Sequence, residues 1–367
     1  MVNTPSTIVH YLLERGFLTF DSVVDGDVIV AEATSRHRNC VVIRQHNPSY
    51  FVKQIQDWQP EAASTLRREA LVYQMAQREL TLAPLVPLMP KYHAFDAKRG
   101  ILILELLPEA ENLSVYHRRL GQFPTEVAAK LGKALGTYHS IDRTSLQDSP
   151  HYSVFPQQVP WIFSFHQGVS PFSSLSGANS QLLAILRQYP ELPQALDILR
   201  SQWQTDTLIH GDMKWDNCIV YPQEDGNGEL NLKVVDWEIA DLGDACWDVG
   251  AIFGTYISFW VMSMPINAAA QPAQMVEEAP YQLVDMQPAM QTFWKTYVET
   301  RFLKDEDAAL LLERCVKYSA ARMLQTVYEQ MLFSPQITPN AVSLLQVSLN
   351  ILQNPQEAIA ILLLIGA

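Results

Sequence analysis

Residues 207–220 read Thr-Leu-Ile-His-Gly-Asp-Met-Lys-Trp-Asp-Asn-Cys-Ile-Val, two short apolar runs with a polar, charged turn between them. Residues 232–237 add a third apolar run, Leu-Lys-Val-Val, that ends on Asp236 and Trp237. Runs this short, bounded by turn chemistry, predict buried strands rather than helices, at 207–209, 218–220 and 232–235. Polar side chains on such a loop are held by buried backbone on both sides. An Asp with an Asn five positions later, and a second Asp at the end of the next strand, meets the needs of phosphoryl transfer. Asp212 would take or orient the proton of an attacking hydroxyl. Asn217 would hold a Mg²⁺, and Asp236 the Mg²⁺ that bridges the β- and γ-phosphates of ATP.

His210-Gly211-Asp212-x-x-x-x-Asn217, followed by an apolar strand ending in Asp236, resembles the catalytic loop and metal-binding Asp of the aminoglycoside phosphotransferase and choline kinase family, relatives of the protein kinases. The resemblance implies an α+β, bilobal, protein-kinase-like fold. A small N-terminal nucleotide-binding lobe, residues 1–107, would carry an antiparallel sheet and one main helix. A large, mostly helical lobe, residues 108–367, would carry the catalytic loop at 208–220, Asp236 and two acceptor-site insertions at 145–180 and 267–287.

This chemistry also needs a Lys on the α- and β-phosphates and a Glu that orients it. Tyr50 to Gln54 is a β-prone run containing Lys53, and Thr65 to Met75 is an apolar-periodic helix carrying Glu69. Each alone reads as a solvated surface charge. In the order and spacing of the kinase template they read as a strand-to-helix ion pair. Ile101 to Leu107 is an apolar strand before Pro108, at the place in order of the hinge between kinase lobes. Backbone groups of Glu105 to Leu107 are the candidates for the adenine edge, the alternative being an ordinary core strand.

The phosphate-covering hairpin departs from the pattern: Val28 to Arg44 contains no glycine. A strand, a polar turn over Thr34 to Asn39 and a second strand remain legible, with Ser35 or Asn39 as candidate caps for phosphate oxygens and Arg36 or Arg38 as positive charge. The other reading is an exposed hairpin tip. Lys214, two residues past Asp212, either stabilises transition-state charge or is an exposed loop lysine. Asp244 reads as a helix N-cap and Asp248 as a support for the catalytic loop; His139 reads as a packed core histidine.

A length of 367 residues and 48% hydrophobic content suffice for two lobes with substantial cores. The net charge of −13 argues against nucleic acid and favours a cationic acceptor, such as an aminoglycoside or amino alcohol. Cys40, Cys218, Cys246 and Cys315 are dispersed, with no zinc-type spacing, and read as reduced buried thiols. With the need for ATP, this and the lack of an export signal predict a soluble, cytoplasmic protein. Neither Ile252 to Met264 nor Ala358 to Ala367 reaches the ~20 apolar residues of a membrane-spanning helix, so no membrane is expected.

Strands are predicted near 18–24, 27–33, 40–45, 50–55, 91–95 and 101–106, and the first long helix over 62–80. Later helices are predicted over 125–140, 181–188, 193–203, 245–262, 290–302 and 306–332. The expected function is ATP-dependent transfer of a phosphoryl group to a hydroxyl of a small molecule. The alternatives are a kinase-fold binding or regulatory protein without turnover, and a kinase acting on a peptide or protein. The choice between ATP and GTP, the acceptor and the oligomeric state are not legible.

Overall fold

The structure is a computed structural model, and it describes residues 5–33, 39–45, 48–55, 60–107, 109–168, 175–223, 228–265 and 272–365. The chain divides into two compact units. The first comprises Met1–Asn112, Ser149–Val154 and Asn217–Ala240; the second comprises Leu113–Asp148, Phe155–Asp216 and Asp241–Ala367.

The first unit is built on strands β1 (Val28–Ala33), β2 (Asn39–Arg44), β3 (Tyr50–Gln54), β4 (Tyr92–Asp96) and β5 (Ile101–Glu105), paired antiparallel in the order β1-β2-β3-β5-β4. Alternation along the strands gives the sheet two faces. Cys40, Val42, Tyr50, Val52, Ile101 and Ile103 pack with Ile8, Tyr11 and Leu12 of helix α1 (Pro5–Glu14). Helix α2 (Phe20–Val24) stands where a strand was expected over 18–24. Thr19 and Ser22 form a reciprocal capping box that starts a helical turn, and the apolar Phe20 and Val24 are 76% and 84% exposed, so they did not report a sheet face. The long helix α3 (Pro60–Arg78) buries Leu66, Glu69, Ala70 and Tyr73 at helical spacing.

The remaining strands are β6 (Glu111–Asn112), β7 (Thr207–Ile209), β8 (Cys218–Pro222), β9 (Leu230–Val234) and β10 (Asp241–Gly243). In the first unit β6, β8 and β9 make a three-stranded sheet; in the second, β7 pairs antiparallel with β10.

The second unit is mostly helical: α4 (Leu113–Leu120), α5 (Thr125–His139), α6 (Gly177–Gln188), α7 (Glu191–Ser201), α8 (Ala245–Ser263), α9 (Leu283–Thr300), α10 (Asp305–Gln330) and α11 (Pro339–Gln353). Helix α9 starts at Leu283 rather than near 290, because its sixth residue, Pro288, is accommodated inside the helix at the loss of one backbone hydrogen bond. Helix α8 is long and apolar enough to cross a membrane, yet 78% of its apolar window is buried within the fold. Two glycines permit backbone-to-backbone packing. A Cβ on Gly132 of α5 would sit 2.3 Å from the Phe293 carbonyl oxygen of α9, and one on Gly250 of α8 would sit 2.6 Å from the Cys315 carbonyl oxygen of α10.

Segment 145–180 contributes Phe155, Ile162, Phe163 and Phe165 to buried positions, while most of its other described residues are exposed or half-buried. Phe163 and Phe165 are fully buried, and Phe163 packs edge-on against Trp247 at 5.5 Å between ring centroids. All four cysteines are buried, and none is in a disulfide.

Candidate active site

The first unit brings Lys53, Glu69 and Asp236 together. The register of β3 places Phe51 and Lys53 on the sheet face opposite Val52, and Lys53 is 7% exposed. Its Nζ donates to both carboxylate oxygens of Glu69 at 2.8 Å and to Asp236 Oδ1 at 2.5 Å. Burial works against the Lys53 charge, but the two carboxylates outweigh it and raise its pKa, so the ammonium is retained. Glu69 is fully buried, and desolvation pushes its carboxyl up to about 7 despite the attraction of Lys53.

Asn217 lies at the same end of the β8–β9 hairpin as Asp236. Cys218 pairs with Val234, and the Val235 amide donates to the Asn217 carbonyl oxygen at 2.9 Å, one residue before Asp236. Asp236 itself adopts a left-handed conformation, φ 69° and ψ 50°, at the entry to a 3₁₀ turn over Trp237–Ile239. A left-handed non-glycine residue is uncommon and marks a turn whose geometry the surroundings enforce. Among the described residues no group of three His, Cys, Asp or Glu side chains could cage a metal by itself. Asp236 and Asn217 offer hard oxygen donors, a set that suits a Mg²⁺ completing its shell with phosphate and water.

In the second unit the loop after β7 is fixed from beneath by Asp248, which is fully buried on α8. Its carboxylate accepts from the amides of His210 at 2.6 Å and Gly211 at 3.1 Å and from the Tyr138 hydroxyl at 2.8 Å. His139 Nε2 lies 3.4 Å from the same carboxylate, and His139 Nδ1 lies 3.0 Å from the Tyr297 hydroxyl. Burial opposes the Asp248 charge, but the hydrogen bonds from His139 and the His210 amide hold its carboxyl below the usual range. Burial also lowers the His139 pKa, so the ring is a neutral packed group. Gly211 takes a φ of +83° at the sharp turn of the loop. Trp247 Nε1 donates to the Gly211 carbonyl at 2.7 Å, and the Asp212 amide donates to His210 Nδ1 at 3.3 Å.

The Asp212 carboxylate is gripped by two cations. Lys214 Nζ donates to Oδ2 at 2.6 Å, and Arg322 Nη2 of α10 donates to Oδ1 at 3.2 Å. Burial alone would raise the Asp212 pKa, yet Lys214 and Arg322 together lower it. The guanidinium lies over the Trp247 ring, 4.9 Å from its centroid, and is nearly buried. Arg322 was not singled out from the sequence. The signal available was a charge within the apolar stretch Tyr318 to Tyr328, where a lone arginine needs a partner.

Of the other expected residues, Ser35 lies outside the described residues, as do Arg36 and Arg38. Glu105 ends β5, and its amide donates to Lys91 O at 2.8 Å, while the Leu106 amide donates to Ser49 O at 3.0 Å. The Glu105 carboxylate accepts from the Lys91 amide at 3.0 Å and lies 3.5 Å from Lys233 Nζ. Leu107 follows as a half-buried residue beyond the strand. Asp244 caps α8, accepting from the Cys246 amide at 3.0 Å.

No curated protein matches this chain. Solved structures share its fold. A choline kinase from Cryptosporidium parvum Iowa II is 13% identical with a TM-score of 0.56, covering 96% of each chain. The choline kinase LicA from Streptococcus pneumoniae is 17% identical with a TM-score of 0.51, covering 95% of this chain and 99% of that one. The streptomycin–ATP–APH(2")-IIa ternary complex is 13% identical with a TM-score of 0.50, covering 94% and 99%. The small antiparallel N-terminal sheet and helical C-terminal part are thus those of a kinase-like fold. The profile of the phosphotransferase enzyme family matches residues 30–281, more than half of the sequence, and the chain belongs to that family.

Proposed function

We propose that this protein is a small-molecule kinase, moving the γ-phosphoryl group of ATP to a hydroxyl. The observation that carries the reading is Lys53, whose ammonium is shared between Glu69 and Asp236. In phosphoryl transfer that lysine holds the α- and β-phosphates, the glutamate orients it, and the aspartate faces the metal. Asn217 and Asp236 would hold Mg²⁺, which when bound supplies charge neutralisation on the phosphate oxygens. The relatives bound to ATP and to AMP make nucleotide the fitting donor. For the adenine edge, the Leu107 amide and the carbonyls of Glu105 to Leu107 are the candidates, since the Glu105 and Leu106 amides already donate within the fold.

Asp212 orients the acceptor hydroxyl. Its lowered pKa makes it a weak base, so it takes the proton late, as the new oxygen–phosphorus bond forms and the bond to the β-phosphate oxygen breaks. Lys214 would offset charge on the transferring group, and Arg322 keeps the carboxylate aimed. ATP chemistry and four buried thiols together fit the cytoplasm.

The test is transfer of label from γ-labelled ATP with Mg²⁺, run beside thermal melting with ATP or GTP. Ligand at a hundred times Kd should stabilise the fold by about 2.7 kcal/mol. Stabilisation without transfer to any acceptor would favour a kinase-fold binding protein, the reading to which the glycine-free stretch Val28 to Arg44 also points.

A further inference from the structure

Beside the catalytic loop, the second unit encloses a cavity of about 380 Å³, at the small end of the ~300–1,000 Å³ typical of small-molecule sites. Tyr281 reaches it from segment 267–287, whereas none of the described residues of segment 145–180 does. Its lining carries the cations Arg118, Lys214 and Arg322 and the anions Asp216 and Glu329. The Asp212 carboxylate, bound to Lys214 and Arg322, brings the balance to three against three. Such a wall carries no net charge that would favour ions of one sign over the other, whatever the net charge of the whole chain.

One of the aromatic rings that line the cavity already carries a cation. Arg118 already lies over Phe259, 5.6 Å from its centroid, so a second cation there would meet a like charge. The Trp215 ring is enclosed by His117 and Tyr256 at 4.6 and 4.7 Å between centroids.

The hydrogen-bonding groups are of both kinds. Thr255 Oγ1 donates to the Ala251 carbonyl at 2.8 Å and Thr326 Oγ1 to the Arg322 carbonyl at 3.0 Å, so each can offer only lone pairs to the cavity. Trp215 lines the cavity too, and its buried Nε1–H, donor only, has no protein acceptor. Ser258 Oγ, buried and without a partner, can serve in either direction. An ammonium group only donates and a carboxylate only accepts; a hydroxyl does both. We propose that the acceptor is a small, uncharged, polyhydroxylated compound, a sugar or polyol of monosaccharide to disaccharide size. This rests on the kinase reading above. One of its hydroxyl oxygens bonds to the γ-phosphorus as the β–γ bridge breaks, its proton passes to Asp212, and ADP leaves with the phosphate ester as co-product.

The experiment uses the full chain, Mg²⁺ and γ-labelled ATP. One arm is a metabolite extract separated at pH 7 into cationic, neutral and anionic pools. The other is a panel of neutral sugars and polyols, choline and aminoglycosides, and hydroxy acids. Label is expected in products from the neutral pool and the neutral panel members, with at least ~10-fold less in the others. Label confined to cationic or anionic compounds overturns the assignment, as does no label anywhere despite stabilisation by Mg²⁺ and ATP. No label and no stabilisation removes the kinase reading itself, and this one with it. Thr326→Val and Ser258→Ala should each raise KM for the neutral acceptor ~3–10-fold, the loss of one neutral hydrogen bond, with kcat held. An unchanged KM in both variants removes the cavity as the acceptor site.

Discussion

Arg322 Nη2 lies 3.2 Å from Asp212 Oδ1, reaching a loop 110 residues earlier in the chain from the middle of a buried helix. With Lys214 on the other oxygen, the carboxylate is ionised before any acceptor arrives. Removing Arg322 leaves burial, which raises the Asp212 pKa, opposed chiefly by Lys214. Arg322→Met should therefore move the acid limb of the kcat/KM profile to higher pH and lower kcat by ~10–10²-fold, with Arg322→Lys between the two. A profile between pH 4 and 8 that keeps its acid limb while activity falls would assign Arg322 to packing.

Asp212→Asn keeps the shape of the group but not its proton affinity. Turnover should fall ~10²–10⁴-fold with nucleotide affinity nearly unchanged. Steady-state kinetics and a nucleotide titration on the same preparation decide this, and a fully active variant excludes Asp212 as the base.

Asp236→Ala removes one donor of the proposed Mg²⁺ pair and one partner of Lys53, leaving the Lys53–Glu69 ion pair in place. The stabilisation by ATP that depends on Mg²⁺ should vanish in thermal melts, while the melting temperature without nucleotide changes little. A retained Mg²⁺-dependent shift would move the metal site elsewhere.

Asp248 receives two loop amides and the Tyr138 hydroxyl, and its folded pKa is lowered. A depressed carboxyl contributes stability above the unfolded pKa and loses it as pH falls through the folded one. Asp248→Ala should cost roughly 3–5 kcal/mol at pH 7 in urea melts, less in acid. An equal cost at pH 7 and pH 3 would show that the charge contributes nothing and that the loss is packing alone.

The polar loop, its flanking strands, Lys53 and Glu69 were legible because short-range patterns fix them: apolar runs around a turn, a β-prone run, a helical period. Helix α2 was not, since its capping box competes with an apolar spacing that also suits a strand, and its large apolar side chains face solvent. The clasp of Arg322 on Asp212 was not, because no local pattern joins residues 110 positions apart. A cationic acceptor was suggested by the whole-chain charge of −13, whereas the cavity lining itself carries Arg118, Lys214 and Arg322 beside Asp216 and Glu329. Global composition averages over the surface, and recognition depends on the few groups that meet the ligand.

At Gly132 the helices α5 and α9 touch backbone to backbone. A layer of side chains absorbs a small displacement by changing rotamers; a peptide group resting on a peptide group has none to change. From the last turn of α5, Tyr138 and His139 reach Asp248, which holds the amides of His210 and Gly211. The loop that carries Asp212 thus rests, through one buried carboxylate, on a helix pair with no side-chain layer to yield at Gly132.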